Sequence, residues 1–266
     1  MKTVIYLILF FFGLQTSAQQ RKAVTYQQQV QAQKAEREAP HAIIETKYRI
    51  VGAFEQAFTS PKDLNDFRNE QLWVNTPAAG ETFSSLPGFA ASFGYKKENS
   101  IYSLELDQYG KKLSSADVSA TTSVRDSIEV ETLQLTYDHV FQDSPEDSIE
   151  LGAGIGKALK FRYINHITTT SIGNPANETG IIWEDSPFVF SVRAAYNYFF
   201  SANVGLRFAV GYQYLTSDEL KAADTYNATY FGIPVTSGKS LTDSNNQNVK
   251  MDLSGVKATA GLSVNF

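Results

Sequence analysis

Cysteine is absent from the 266 residues. That excludes a disulfide-stapled secreted scaffold, a thiolate nucleophile and any cysteine-based metal site. It also argues against a lipid-anchored lipoprotein, which requires a cysteine behind its cleavage site. Histidine occurs three times and tryptophan twice. Beyond the N-terminal segment, no stretch approaches the roughly 20 consecutive apolar residues that a helix needs to cross a bilayer. A basic excess is missing too. The chain has 23 Lys and Arg against 28 Asp and Glu, a formal charge of −5, and so no electrostatic footprint for nucleic acid.

What is present begins with an export signal. Lys2 is followed by the apolar run from Val4 to Leu14 and then by the small residues Thr16, Ser17 and Ala18. This is the pattern of a cleaved secretory signal over residues 1–18, and its apolar core is too short to span a bilayer. Residues 19–44 are rich in Gln, Ala, Lys and Glu and lack alternation, so they read as a polar periplasmic leader, disordered or partly helical, ending near Pro40. A partner-binding helix is the alternative for this leader. Residues 45–266 read as one all-β domain.

From residue 45 onward, apolar residues recur at every second position, as a strand with two unlike faces requires. Val256, Ala258, Ala260, Leu262, Val264 and Phe266 share one parity, with Lys257, Thr259, Gly261, Ser263 and Asn265 on the other. Val204 to Tyr212 and Phe188 to Tyr198 repeat the pattern, and five earlier segments follow it less cleanly, giving eight antiparallel strands. The connections alternate in length. Those near Glu98 and Ser201, and the segment Gln142 to Asp147, are short. Lys111 to Arg125 is of medium length, and Thr59 to Leu86, Ala158 to Pro187 and Thr216 to Val249 are long. Short turns at one end and long loops at the other are the organisation of transmembrane barrels.

Parity does not say which face is inside. In a soluble lipocalin-like carrier the apolar face would line a ligand cavity. Here the aromatics gather at strand ends, with Tyr48, Tyr95, Tyr102, Phe141, Tyr198 and Phe266 at one rim and Phe58, Phe89, Phe188, Tyr212 and Tyr214 at the other. Two aromatic bands around an aliphatic waist suit lipid with its two interfaces. In hydrocarbon every backbone polar group needs a partner within the protein, and a closed sheet supplies it.

The signal, the eight alternating segments and the run Ala260-Gly261-Leu262-Ser263-Val264-Asn265-Phe266 resemble the small OmpA/OmpX-type outer-membrane barrel family. The leader and ending also resemble Bacteroidetes-type members. The resemblance implies a closed eight-stranded up-and-down barrel in the bacterial outer membrane with long extracellular loops. It also implies that Leu262, Val264 and Phe266 form a signal read by the outer-membrane insertion machinery. It carries little about activity, because such barrels host anchors, adhesins and enzymes alike.

With the apolar face outside, Arg49, Glu55, Lys96, Glu105, Asp107, Asp138, Glu150, Arg193, Arg207 and Lys257 enter the lumen. Charges withdrawn from water need partners, so an interior salt-bridge network is expected. Gly152, Gly154 and Gly156 would make room for it. An eight-stranded interior is filled by side chains, which predicts a plugged barrel; the rival reading is a narrow proton or ion path. No catalytic residue, cofactor or metal site is assigned. His41 lies in the leader, His139 faces outward near one interface, and His166 sits in a Thr-rich loop. No nucleophile elbow or metal-binding histidine pair accompanies them, although a lipid-modifying enzyme stays an alternative. Asp218-Glu219 and Asp243 to Asn246 lack calcium-loop spacing and read as solvated loop. The long loops, with Phe67, Trp73, Phe83, Phe161, Tyr163, Trp183, Tyr226, Tyr230 and Phe231, are the place for an extracellular ligand or an envelope partner, unless these rings pack within their own loops.

Overall fold

The computed structural model describes residues 47–71, 81–119, 121–144, 146–169, 177–201, 203–230 and 233–266. The signal at 1–18, the leader at 19–44, the start of the barrel domain at 45, and Trp73 and Phe231 lie outside the described residues.

Eight strands form the wall: β1 (Tyr48–Thr59), β2 (Ser85–Lys97), β3 (Ser100–Lys112), β4 (Thr122–Asp143), β5 (Asp147–Thr169), β6 (Phe188–Phe199), β7 (Val204–Ser217) and β8 (Gly255–Asn265). Each pairs antiparallel with its sequence neighbours, and β8 returns to pair with β1 over the whole of that strand. The wall therefore closes without a free edge, and its backbone groups are satisfied within it.

Period 2 decides which way each side chain points. On β1, Arg49, Val51, Glu55, Ala57 and Thr59 are buried inside while Tyr48, Ile50, Phe54 and Phe58 face out. One end carries the short turns. Glu98 takes a positive φ of 55° in the β2–β3 turn, Ser144 bonds Asp147 through both backbone and hydroxyl, and Phe200 and Ser201 donate to Val204.

The other end departs from the expected polar loops. Residues 111–125 are not a simple loop: β3 runs to Lys112, Ala116–Ser119 pairs with β4, and β4 begins at Thr122. Much of 158–187 is strand as well, because β5 continues to Thr169 and Asn177–Glu184 folds back on it. His166 therefore sits on a strand, opposite Arg125 and Gly180. A bulge hides this continuity from the sequence. Glu131 opposes Lys160 and Thr132 opposes Ala158, so Leu159 has no opposite residue. Below the bulge the inward residues of β5 are even-numbered (Glu150, Gly152, Ala158); above it they are odd (Phe161, Tyr163, Asn165). A strict period-2 reading stops where the parity flips.

Between β1 and β2 lies a helix, α1 (Lys62–Gln71). Pro61 precedes it, and its carbonyl accepts the first-turn hydrogen bond from Asn65 N–H at 3.0 Å. Asp63 in the first turn and Arg68 in the last suit the helix dipole. Leu64, Phe67 and Arg68, spaced as one helical face, are buried.

This helix, the upper parts of β4 and β5, Asn177–Glu184 and the connection before β8 share one apolar core with the outer strand ends. Phe67, Phe83, Phe161, Tyr163 and Trp183 are each at most 2% exposed, and Tyr226 is partly buried against the same core. These loop aromatics hold the loops together as a folded cap; they are not a free recognition surface.

Candidate functional site

The lumen begins at the short-turn end with Arg49. Its Nη1 donates to Glu150 Oε1 at 2.5 Å, and its Nη2 lies 3.6 Å from Asp138. Arg207 also donates to Glu150 and lies 3.9 Å from Asp138. Asn197 completes this layer with bonds to Glu150 and Ser148 at 2.9 Å each. One layer up, Arg193 spans the barrel: it donates to Asp138 at 2.7 and 2.9 Å, to Thr136 at 3.0 Å and to Glu105. Above it Lys257 sits 2.8 Å from Asp107, 3.2 Å from Glu55 and 3.8 Å from Glu105. The nine charges form one connected cluster. Lys96, by contrast, is half-exposed at the short-turn rim.

Glycine makes this packing fit. A Cβ on Gly152 would fall on Asp138 Oδ1 and 2.7 Å from the Tyr137 carbonyl. Gly152 stands opposite Arg193 on one side and Asp138 on the other, so the missing side chain is what lets that ion pair form. A small cavity of about 40 Å³ remains between the layers, lined in part by Glu105, Arg193, Arg207, Gln213 and Lys257.

The lumen then closes. Ala57, Leu86, Tyr109, Val130, Ala158, Val189, Leu215 and, just before β8, Leu253 point inward and are at most 3% exposed. They come one from each wall position and lie close in register: Ala57 opposes Leu86, Tyr109 opposes Val130, and Val189 opposes Leu215. Each belongs to the apolar core of the cap. Charged lumen and exterior are thus separated by a packed apolar layer.

β4 shows where the bilayer ends. Its outward face carries Leu133, Leu135, Tyr137 and Phe141, then turns to Glu131 and Glu129. Its inward face changes in the opposite sense, from Asp138, Thr136, Gln134 and Thr132 to Val130, Ile128 and Val124, with Asp126 between the last two as the one buried charge. Below this crossing the strand is apolar outside and polar inside, as lipid demands; above it the two are exchanged, as water demands. Phe54 at 69% and Leu135 at 66% exposure have no protein cover. At the short-turn rim Phe266, Tyr48, Tyr95, Tyr102 and Tyr137 follow one another strand by strand; the ring centroid of Tyr48 lies 5.9 Å from that of Phe266 and 5.6 Å from that of Tyr95, and those of Tyr102 and Tyr137 are 5.4 Å apart. His139 lies at this rim against Phe141, its ring centroid 4.8 Å away.

Above the crossing, one polar cluster is built into the cap. Asp126, 1% exposed, accepts hydrogen bonds from Arg68 Nε at 2.9 Å, Tyr163 Oη at 2.9 Å and Asn165 Nδ2 at 2.6 Å. Trp183 Nε1 donates to Asn165 at 3.1 Å, and Arg68 Nη1 donates to the Glu81 carbonyl at 2.7 Å. Burial raises the Asp126 carboxyl above its usual range, opposed by Tyr163, Arg68 and Asn165. Glu81 is held below its ordinary value by the Ser114 amide and hydroxyl. The acidic loop residues are bound up locally. Asp218 pairs with Lys250 at 2.9 Å, Glu219 pairs with Lys221 at 3.2 Å, and Asp243 caps the turn at Asn245 and Gln247. Among the described residues no group of three or more His, Asp and Glu is placed to hold a metal ion.

A lipocalin-like carrier would need its apolar face inside, around a ligand. The lumen here is ionic and filled, and the apolar face is outside. The chain is a closed eight-stranded transmembrane β-barrel, the architecture of bacterial outer-membrane proteins.

No family model and no curated protein matches the sequence. Several solved structures are similar to it. Neisserial surface protein A has 14% identity and a TM-score of 0.42, over 82% of this chain and 96% of that one. Ail, the attachment invasion locus protein of Yersinia pestis, has 13% and 0.40, over 84% and 100%. The outer membrane protein OprG from Pseudomonas aeruginosa has 10% and 0.42, over 83% and 96%.

Proposed function

We propose that the protein is a non-conducting outer-membrane anchor whose work is done by the cap it holds above the bilayer, through contact with an extracellular ligand or a neighbouring envelope protein. The observation that carries this reading is the apolar layer shared by barrel and cap. It stoppers the lumen, which disfavours transport, and it holds the long connections in one arrangement, as a recognition surface on a rigid scaffold requires. Among the described residues the large apolar side chains of the cap, such as Phe67, Phe83, Phe161, Tyr163 and Trp183, sit in its own core, which favours contact through polar groups.

Two measurements test this. Purified protein in planar bilayers should give no conductance steps; steady single-channel openings would sink the stoppered-anchor reading. Cells displaying the full chain should be compared with cells in which the hairpin above Glu131 and Lys160 is replaced by a short turn. Loss of surface cross-linking or adhesion with the barrel still heat-modifiable on a gel supports the binding role. Unchanged behaviour would leave a purely structural part in the envelope.

A further inference from the structure

The charges in the lumen do not balance, and the imbalance is local. In the lower layers three guanidiniums (Arg49, Arg193 and Arg207) meet three carboxylates (Glu105, Asp138 and Glu150). Above them the single ammonium of Lys257 faces both Asp107 at 2.8 Å and Glu55 at 3.2 Å. One carboxylate in this chamber has no cation of its own. The apolar layer shuts the chamber off from the cap side, and the Arg193 layer separates it from the short-turn end. Glu55 is 4% exposed and Asp107 is fully buried.

Hydrogen bonding distinguishes the two acids. Asp107 Oδ2 accepts from Thr132 at 3.1 Å and Gln134 at 2.8 Å. Both Glu55 oxygens are buried and accept no hydrogen bond, Lys257 lying near without the geometry for one. Asp107 Oδ1 and Gln213 Oε1 are likewise buried acceptors without a donor. The neighbours offer little else. Thr259 and Gly88 stand opposite Glu55 on β8 and β2. Glu105 and Tyr109 come from β3, and the Tyr109 hydroxyl already accepts from Gln213 Nε2 at 2.6 Å.

A lone carboxylate sealed away from water is costly unless a positive charge joins it. Among the described residues no group of three or more His, Asp and Glu here is placed to hold a metal ion. A proton needs one carboxylate that accepts nothing and one acceptor that receives nothing, and the chamber supplies both. We propose that the upper lumen is a proton-binding site, in which a proton taken from water as the barrel closes resides on Glu55, leaving Lys257 to Asp107 and the lumen neutral.

The test is to fold the urea-unfolded chain into phosphatidylcholine vesicles at neutral pH in weak buffer, where an unfolded glutamate is ionised, and to read proton uptake with an indicator dye. Wild type should take up one more proton per chain than Glu55→Gln, and equally so in sodium and in choline salts. Glu55→Gln should keep the wild-type urea midpoint, and Asp107→Asn should lose the extra proton, because Lys257, 3.2 Å from Glu55, then pairs with that carboxylate in its ionised form. Equal uptake by wild type and Glu55→Gln would overturn the proposal, as would uptake kept in Asp107→Asn or a clear midpoint loss in Glu55→Gln. Uptake seen only without sodium would assign the charge to a bound cation and overturn it as well. Should the variants not fold, the infrared carbonyl stretch of an un-ionised carboxylic acid, sought in folded wild type and in Asp126→Asn at neutral pH, decides: its presence in both supports the site and its absence from either rejects it.

Discussion

Arg68 of α1 and Asp126 of β4 share a hydrogen bond of 2.9 Å although each is only 1% exposed. This contact ties the first long connection to the extended hairpin, and the consequence depends on pH. Burial, the leading influence, raises the Asp126 carboxyl. A raised carboxyl contributes stability that is fully present below its unfolded value, about 3.9, and is lost as pH rises through the folded one. Arg68→Met should therefore loosen the cap by about 3–5 kcal/mol at neutral pH, where a buried carboxylate is left alone, and by less in mild acid, where that carboxylate takes up a proton. Hydrogen exchange of the α1 amides at the two pH values checks this. A loss independent of pH would remove Asp126 from the explanation.

Arg193 is the single bridge between Asp138 and Glu105. Replacing it by Met leaves Asp138 only its longer contacts to Arg49 and Arg207 and Glu105 only that to Lys257, and should cost about 3–5 kcal/mol. Lys160→Ala breaks only the outward pair with Glu131, whose lysine side chain is 45% exposed, and should cost less than about 1 kcal/mol. Urea midpoints in the same vesicles compare the two.

Two glycine substitutions should part company. Gly152→Ala drives a methyl into Asp138 and the Tyr137 carbonyl, whereas an added Cβ on Gly52 meets nothing within 4 Å. The first should lower the temperature at which the folded band is lost on a gel, and the second should leave it unchanged. Equal shifts would mean that the Asp138–Arg193 pair tolerates displacement.

The position of the bilayer can be probed on one strand. Leu135→Arg places a charge on the lipid face and should cost about 2–4 kcal/mol if near the midplane. Glu129→Arg, on the same face above the crossing, should stay within about 0.5 kcal/mol. A similar cost at both would move the boundary.

Phe266 lies against Tyr48 with ring centroids 5.9 Å apart, and its carbonyl accepts from the Lys47 and Tyr48 amides. Leu262 and Phe266 face outward. If this ending is a signal for the insertion machinery, Phe266→Ala should slow assembly in cells while barely changing spontaneous folding in detergent. Equal slowing in both would reduce its part to closing the β1–β8 seam.

The strands were legible because lipid and a packed lumen impose opposite demands on alternate residues, and Val256 to Phe266 obeys them without exception. Parity also placed the lumen charges on one face. It could not say that Lys257 would be shared or that Arg193 would reach Glu105, since both depend on which strands close against each other. The cap was hidden for three physical reasons. The bulge at Leu159 reverses parity in mid-strand, α1 has only two apolar residues in ten, and aromatics such as Trp183 and Phe83 find their partners across long stretches of chain. Pro61 followed by Asp63, with Leu64, Phe67 and Arg68 on one face, was the available sign of the helix.

The exchange of faces along β4 works as a waterline. If the barrel rode one rung higher, Leu133 would stand in water; one rung lower, Glu131 would enter the hydrocarbon. Displacement in either direction is opposed, so the load line is written into a single strand, and the cap is carried at a set height above the surface regardless of what surrounds it.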